Sequence, residues 1–321
     1  MKSVIVRPCA GYGEAEVRQA LEAVLAPLGG LGWVLPGMKI ALKANLITAL
    51  KPETAATTHP ALLGALTELL LERGAVVTIG DSPGGVFNRV YLERVYEVCG
   101  LKALEAKGAI LNRDFRQKER SFPEGKVLRK FTYTAWLDEA DAIINFCKLK
   151  VHAMMAMTAA TKNLFGTIPG SVKAEYHYRF PEYRDFADML VDLNECFRPR
   201  LSICDAVVAM EGNGPTQGTP RHLGALLAGT DPYEMDRLCA RLLGIREEER
   251  VFLPAVFWTA FLMVSGVMPC SSLYFCWILR RRSVSSSAVR MAGLMVSAYM
   301  MTRPSAFLAA RPMVWISEVS V

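Results

Sequence analysis

The stretch HPALLGALTELLLERGAVVTIGDS, residues 59–82, joins a helix to a strand and decides the class of fold. Its first half is an apolar run with the periodicity of a buried helix, which begins near Pro60 and ends at Gly74. Its second half is a short β-branched run, which predicts a strand that ends at the polar residues Asp81 and Ser82. Helices and strands that follow one another in this way are typical of α/β proteins.

The same alternation extends outward from this stretch in both directions. Further strand-like segments occupy residues 3–8, 38–46, 140–150, 200–210 and 222–230. Further helical segments occupy residues 14–30, 91–100, 186–197 and 231–244. The sequence therefore predicts an α/β domain over residues 1–250, with a mostly parallel sheet and helices on both faces. Ligands of such sheets bind beyond the carboxyl ends of the strands, so polar residues at those ends are candidate site residues.

Composition and charge narrow the functional classes. Apolar residues make up 52% of the 321 residues, which is enough for a sizeable core. Six arginines after residue 250 supply most of the formal charge of +6, so the domain itself is near neutral and nucleic-acid binding is not expected. The eight cysteines form no C-x-x-C pair, which favours buried thiols over a metal site. No export signal is apparent, and we predict a cytoplasmic location.

Polar residues stand just before the stretch of residues 59–82. Lys43 and Asn45 end the preceding strand, where a lysine can neutralise an anion and an asparagine can orient it. A lysine in an otherwise apolar strand must also find a counter-charge. Thr58 is expected to cap the helix that follows.

The stretch CKLKVHAMMAMTAATKNLFGTIPG, residues 147–170, is the densest in candidate residues. Lys148, Lys150 and His152 alternate with apolar residues, as on a half-buried strand, so we expect them on one face. Three positive groups on one face would repel unless an anion or carboxylates lay among them. The methionines that follow are interpreted as core residues.

Two further groups complete the predicted site. Thr158 and Lys162 are four residues apart and are expected to share a face of the next helix. Asp81, Asp205 and Glu211 are the expected counter-charges of the lysines, or else ligands of a divalent cation. The candidate ligand-binding residues are therefore Lys43, Asn45, His59, Asp81, Ser82, Lys148, Lys150, His152, Thr158, Lys162, Asn163, Asp205 and Glu211.

Residues 251–321 differ in composition from the domain that precedes them. These 71 residues contain no Lys, Asp, Asn, Gln or His. They begin with 29 uncharged residues before Arg280, which taken literally predict a transmembrane helix with a positive flank. A frameshifted translation accounts better for the loss of five residue types at one boundary. An unusual soluble tail is a third interpretation.

Seven motifs together resemble the domain-of-unknown-function 362 family. In the family's order, within residues 37–245, they are KANL, TTHP, ERGAVVTIGDS, ADAIINFCKLKVH, TAATKNLFGTIPG, EGNGPTQGTP and GTDPYEMD. Many members carry a C-terminal ferredoxin-like module with two 4Fe–4S clusters. The resemblance therefore implies a redox setting, electron transfer with a partner protein, and an α/β domain that binds an unidentified ligand. The cysteine run of such a module, C-x-x-C-x-x-C-x-x-x-C-P, does not occur after Val251, so the clusters are not carried over to this chain.

Three functional hypotheses stay open. The first is an oxidoreductase-associated protein whose α/β domain binds a small anionic ligand. The second is a ligand-binding or metal-centre maturation protein without turnover. The third is a membrane-anchored α/β domain, and it applies only if residues 251–279 form a transmembrane helix. The sequence indicates neither the substrate nor the catalytic residues.

Overall fold

The computed structural model describes residues 4–245. This range falls within the α/β domain predicted for residues 1–250. The predictions for residues 251–321, a frameshift product or a membrane segment, lie outside the described residues. Over residues 4–245, no helix combines the length and the apolar character that crossing a membrane requires.

One eight-stranded sheet forms the centre of the fold. The strands of the described range are β1 (Val4–Pro8), β2 (Lys39–Lys43), β3 (Val76–Gly80), β4 (Ile110–Leu111), β5 (Gln117–Ser121), β6 (Lys130–Thr134), β7 (Ala142–His152), β8 (Ala156–Thr158), β9 (Leu201–Glu211) and β10 (Thr219–Gly229). The sheet has the order β1-β10-β9-β7-β2-β3-β4, with β8 paired to the end of β7, while β5 and β6 form a separate hairpin.

The predicted mostly parallel sheet is found in the central part of this sheet. Strands β9, β7, β2, β3 and β4 run parallel to one another. The strand predicted near residues 222–230 returns antiparallel to β9 as β10, and β1 pairs antiparallel to β10. One edge of the sheet is therefore antiparallel, and the carboxyl ends of β2, β3, β7 and β9 meet at one edge of its parallel part.

Helices cover both faces of the sheet. They are α1 (Glu14–Leu25), α2 (Pro60–Leu71), α3 (Arg89–Val98), α4 (Ala160–Asn163), α5 (Lys173–Arg179), α6 (Tyr183–Phe197) and α7 (Pro232–Leu242). Successive residues of a strand point to opposite faces. Ile40 and Leu42 of β2 accordingly belong to a core cluster with α1, α2 and α3, whereas Ala41 belongs to a second cluster with α6.

The start of α2 differs from the prediction. His59 is the N-cap residue, and its Nδ1 accepts a hydrogen bond from the Ala61 amide at 3.2 Å. Thr58 Oγ1 instead accepts from the Asn45 amide and donates to the Phe146 carbonyl, each at 2.9 Å. The predicted Thr58 cap is wrong because this hydroxyl joins the chain after β2 to β7. The N-cap of α7 is Asp231, whose side chain accepts hydrogen bonds from the amides of Tyr233 and Glu234.

A single carboxylate of α6 holds the turn between β5 and β6. Asp192 is buried, and its Oδ1 accepts a hydrogen bond from the Lys126 amide at 2.9 Å. Its Oδ2 accepts from the amides of Val127 and Leu128, both at 2.8 Å. One side chain thus satisfies three backbone donors, which fixes the hairpin against the face of the sheet that α6 covers.

Replacing this carboxylate should destabilise the fold. For Asp192→Ala we expect the free energy of unfolding to fall by about 3 kcal/mol, because buried donors lose their acceptor. Denaturant unfolding measures the change. The matched control is Asp185→Ala, an exposed aspartate of the same helix, for which we expect less than about 1 kcal/mol. Equal losses in the two variants would contradict the anchoring role of Asp192.

Candidate functional site

The carboxyl ends of the parallel strands bring several lysines together. In the sheet register, Lys43 of β2 lies beside Asn145 of β7, and Lys148 of β7 lies beside Asp205 of β9. Lys148 and Lys150 are 0% exposed, as is Leu149 between them. The half-buried strand predicted here is therefore wrong, because β7 lies between β2 and β9 and is covered on both faces.

Two of these lysines have carboxylate partners. Lys43 Nζ lies 2.8 Å from Asp81 Oδ1, and Lys148 Nζ lies 2.8 Å from Asp205 Oδ2. Asp81 Oδ2 also accepts a hydrogen bond from the Leu46 amide at 2.8 Å. All four side chains are buried, and members of both ion pairs make further hydrogen bonds to neighbouring groups, as buried pairs require. The structure thus supplies the counter-charges expected for Lys43 and Lys148.

Tyr12 and His59 complete the surroundings of Asp205. Tyr12 Oη donates to Asp205 Oδ1 at 2.9 Å and accepts from Lys148 Nζ at 3.0 Å. The His59 amide donates to Asp205 Oδ2 at 3.1 Å, and the His59 ring stacks on that of Tyr12 with 3.5 Å between centroids. Burial lowers the pKa of His59 to about 4, so this ring is neutral. Sequence reasoning missed Tyr12, which reaches Asp205 from the loop before α1.

Three asparagines connect the lysine pairs. Asn163 Oδ1 accepts from Lys43 Nζ at 3.2 Å and from Asn45 Nδ2 at 3.0 Å. Its Nδ2 donates to Asn145 Oδ1 at 2.7 Å. Asn145, which the sequence did not single out, donates in turn to the Ala160 carbonyl at 2.9 Å. The amides therefore fix the orientation of β2, β7 and α4 at the site.

Lys150 is buried beside neutral groups. Its Nζ donates to Asn45 Oδ1 at 2.9 Å and to the Ala56 carbonyl in the loop before α2. No carboxylate pairs with it within residues 4–245. Burial, followed by the charges of Lys162 and Lys148, lowers the pKa of Lys150 to about 7. At neutral pH this ammonium is therefore only partly protonated.

Lys162 and Lys173 approach the same aromatic ring from different helices. Their Nζ atoms lie 5.5 Å and 5.6 Å from the centroid of the Phe165 ring, and Lys162 also lies 6.0 Å from that of Phe186. Lys173 Nζ donates to the Ser82 carbonyl. Burial lowers the pKa of Lys162 to about 8 and that of Lys173 to about 7. Lys173 was not predicted, although it follows the Gly-x-x-Pro-Gly turn closely.

His152 makes local hydrogen bonds that the sequence did not indicate. Its Nδ1 accepts hydrogen bonds from the amides of Met154 and Met155, at 3.1 Å and 3.3 Å, in the turn between β7 and β8. Burial, together with the charges of Lys162 and Lys150, lowers its pKa to about 2. The expectation of a third positive group beside Lys148 and Lys150 is therefore wrong, and His152 is a neutral ring beside the lysines.

Three other candidates occupy positions that the sequence did not indicate. Thr158 lies in β8 opposite Lys150, so the helix face that it was expected to share with Lys162 does not exist. Its hydroxyl is buried and makes no hydrogen bond to any described residue. Ser82 Oγ accepts from the Gly170 amide at 2.7 Å. Glu211 pairs with Arg221 across β9 and β10 at 2.6 Å and is not a counter-charge of the strand-end lysines.

Comparisons with known proteins place this arrangement in a family. The model described as Domain of unknown function (DUF362) matches residues 40–241. The chain belongs to this family. A thylakoid-associated protein of Synechocystis sp. is 34% identical over 251 residues, which cover 76% of this chain and 75% of the relative. The resemblance inferred from the seven motifs is thereby confirmed.

A solved structure also resembles this DUF362 protein. The lactate racemase apoprotein from Thermoanaerobacterium thermosaccharolyticum aligns with a TM-score of 0.47 and 13% sequence identity. The alignment covers 75% of this chain and 57% of that one, so the chain spans little more than half the length of the racemase.

The cysteines of the DUF362 domain are free thiols. Cys9, Cys99, Cys147, Cys204 and Cys239 are buried, and Cys196 is partly exposed. Cys204 and Cys239 lie close together, with 3.7 Å between their sulfur atoms. In the part of the chain that the structure describes, no group of three or more His, Cys, Asp or Glu side chains is arranged to hold a metal ion.

Gly166 allows the backbone to approach the buried ion pair. A Cβ atom at this position would collide with Asp81 Oδ1 and would lie 2.5 Å from Lys43 Nζ. The Gly166 carbonyl accepts a hydrogen bond from the Ser82 amide at 3.1 Å, so the backbone cannot easily move away. Only glycine fits between the Lys43–Asp81 pair and this hydrogen bond.

A methyl group at this position should break the pair. We expect Gly166→Ala to lower the free energy of unfolding by about 2–4 kcal/mol, because overpacking separates two buried charges. Denaturant unfolding measures the loss. The control is Gly32→Ala, where the nearest atom to the added Cβ is the Gly29 carbonyl oxygen at an ordinary 3.5 Å. A loss at Gly166 no larger than that at Gly32 would refute this close approach.

Proposed function

We propose that this DUF362 protein binds a small anionic ligand beside Lys150, Lys162 and Lys173, which we call the lysine cluster. One observation carries the proposal: within the described residues, these three ammonium groups have only neutral partners. The partners are an amide oxygen, two carbonyl oxygens and aromatic rings. Buried or half-buried cations without an opposite charge are costly, and an anion would relieve that cost.

The charges nearest to the cluster support the same function. Asp81 is the carboxylate that acts on Lys150 and Lys173, and it is already paired with Lys43 at 2.8 Å. The positive charges of Lys162 and Lys148 act on Lys150. The summed field at this edge of the sheet is therefore positive, which draws small anions toward it.

The neutral groups around the cluster give a bound anion its orientation. His152 is an uncharged ring beside Lys150 and Lys162, and Thr158 has a hydroxyl with unused hydrogen-bonding capacity within the described range. Asn45 fixes the Lys150 ammonium through its side-chain oxygen. Sites for small ligands commonly combine a few convergent polar groups of this kind with apolar walls, here Phe165.

A second concave surface carries less support. An open cleft of about 450 Å³ lies at the opposite end of β7, where the strand begins. Of its three arginines, Arg120 pairs with Asp138 at 2.9 Å and its guanidinium lies 4.4 Å from the Tyr133 ring centroid, whereas Arg198 and Arg200 are exposed to solvent. Exposed arginines need no counter-ion, so the shielded positive charge without a carboxylate partner is at the lysine cluster, which we therefore take as the site.

The remaining functional predictions from the sequence stay predictions. The redox setting depends on an iron–sulfur module that relatives carry after the α/β domain, and that part of this chain lies outside the described residues. Reading the gene in all three frames beyond codon 250 tests it. We expect another frame to encode the cluster-binding cysteine run, and its absence from every frame would remove the main support for electron transfer. The cytoplasmic location also stays a prediction, since the Synechocystis relative is associated with thylakoids.

Lys162→Ala should abolish most of the anion affinity. The Lys162 side chain makes no hydrogen bond or ion pair with any described residue, so its removal should weaken binding at least about tenfold without lowering the unfolding midpoint. Isothermal titration of the whole 321-residue chain with inorganic phosphate, sulfate, malonate and acetate at pH 7 and low ionic strength measures the affinities.

The matched control for this titration is Lys130→Ala. Lys130 pairs with Glu119 at 2.9 Å on the exposed hairpin of β5 and β6, and its removal should leave every affinity unchanged. If no anion binds the unaltered chain, or if Lys162→Ala binds as tightly as the control, the proposed function is wrong.

A further inference from the structure

The balance of charge at the site constrains how much negative charge the ligand carries. Five lysines converge on this edge of the sheet, namely Lys43, Lys148, Lys150, Lys162 and Lys173. Two of them are neutralised by carboxylates at 2.8 Å, Lys43 by Asp81 and Lys148 by Asp205. The three members of the lysine cluster are left without an anionic partner in residues 4–245. When all three lysines are protonated, a ligand with one negative charge would leave two of these ammonium groups uncompensated.

We infer that the ligand is a dianion, a small molecule with at least two negative charges on separate oxygens. This inference rests on the proposed function and specifies its substrate class. Its chemistry is that of a sulfate or phosphate group or of a short dicarboxylate. Such a ligand offsets two of the three positive charges and leaves one, shared among three ammonium groups of which those of Lys162 and Lys173 belong to partly exposed residues.

The geometry of the cluster fits an anion with several oxygens. Its ammonium groups come from three elements, Lys150 from β7, Lys162 from α4 and Lys173 from α5. Each ammonium has three N–H donors. Among the described contacts, Lys150 uses two of these donors, Lys173 uses one and Lys162 uses none. Donors carried by three separate elements can each contact a different oxygen of one ligand, which favours an anion with several oxygens.

Protonation of the cluster supports the same conclusion. In the free protein, burial lowers the pKa of Lys150 and Lys173 to about 7 and that of Lys162 to about 8. A nearby anion favours the charged form of a lysine and raises its pKa again. The protein should therefore take up protons from solution when a dianion binds at pH 8, and should take up few at pH 6, where the lysines are already charged.

The two histidines beside the cluster do not account for this proton uptake. The titratable and charged groups that act on it are Lys43, Asp81, Lys148, His152 and His177. His152 has a pKa of about 2, and burial lowers that of His177 below its ordinary value, so both rings are neutral at pH 8. Asp81 pairs with Lys43, whose own pKa is lowered by burial, and Lys148 pairs with Asp205. Proton uptake at pH 8 therefore reports on the lysines at this edge of the sheet.

Two matched pairs of probes test the inference. Sulfate and methanesulfonate share a tetrahedral head, but sulfate is a dianion and methanesulfonate a monoanion. Malonate and acetate are the corresponding dianion and monoanion among carboxylates. Titration calorimetry of the whole chain at pH 8 and constant ionic strength compares their dissociation constants. We expect the dianion of at least one pair to bind at least about tenfold more tightly than its monoanion. Sulfate stays fully ionised throughout, so the dependence of its binding enthalpy on the buffer counts protons taken up by the protein.

The variants separate this inference from the proposed function. Lys173→Ala should weaken binding of the dianion more than binding of the monoanion and so reduce the ratio of their affinities. Lys130→Ala should leave both affinities unchanged. Equal affinities within both pairs would overturn the dianion inference while the anion site itself stands. Absence of binding by all four probes would overturn both. Tight dianion binding without proton uptake at pH 8 would also count against the cluster as the place of binding.

Discussion

Burial of lysine side chains at the end of a sheet is the constraint on which the rest of this structure depends. An ammonium group removed from water must be paired or lose its proton. The register of β7 against β9 sets Lys148 beside Asp205, and the strand end after β3 sets Asp81 against Lys43. Around these pairs the loops fold back closely, and Gly166 is the position where that approach leaves no room for a side chain.

The neutral contacts of the site follow from the same constraint. Asn45, Asn145 and Asn163 connect the buried pairs with amide groups, which donate and accept without adding charge. A carboxylate in place of Asn45 would lie against the Lys150 ammonium and remove part of the positive field that the proposed ligand needs. The paired lysines face carboxylates, and the members of the lysine cluster face an amide, backbone carbonyls and aromatic rings.

The sequence predicted the site residues whose positions follow from the ends of strands. It failed for residues whose positions depend on local hydrogen bonds. Hydrophobic periodicity locates the ends of parallel strands, and those ends share an edge, so the sequence predicted Lys43, Lys148, Asp81 and Asp205.

The charge expected on His152 was misjudged because a short turn uses its ring as an acceptor. Helix or strand periodicity carries no information about such a turn. Glu211 was misjudged for a similar reason, since the hairpin of β9 and β10 gives it a partner in Arg221. Tyr12 and Lys173 were missed because their contacts join segments that are remote in sequence, where no local pattern exists.

A purely structural role accounts for the position of Lys150 but not for that of Lys162. Lys150 donates to Asn45 and to the Ala56 carbonyl, so it would hold the loop before α2 in place even if no ligand ever bound. Lys162 has aromatic rings as its described partners, at 5.5 Å and 6.0 Å. Cation–π contacts of that length contribute only about 0.5–1 kcal/mol at partly exposed sites, so they are a weak reason to place an ammonium beside other lysines. A bound anion gives that position a reason, so Lys162 distinguishes a binding site from a structural cluster of charges.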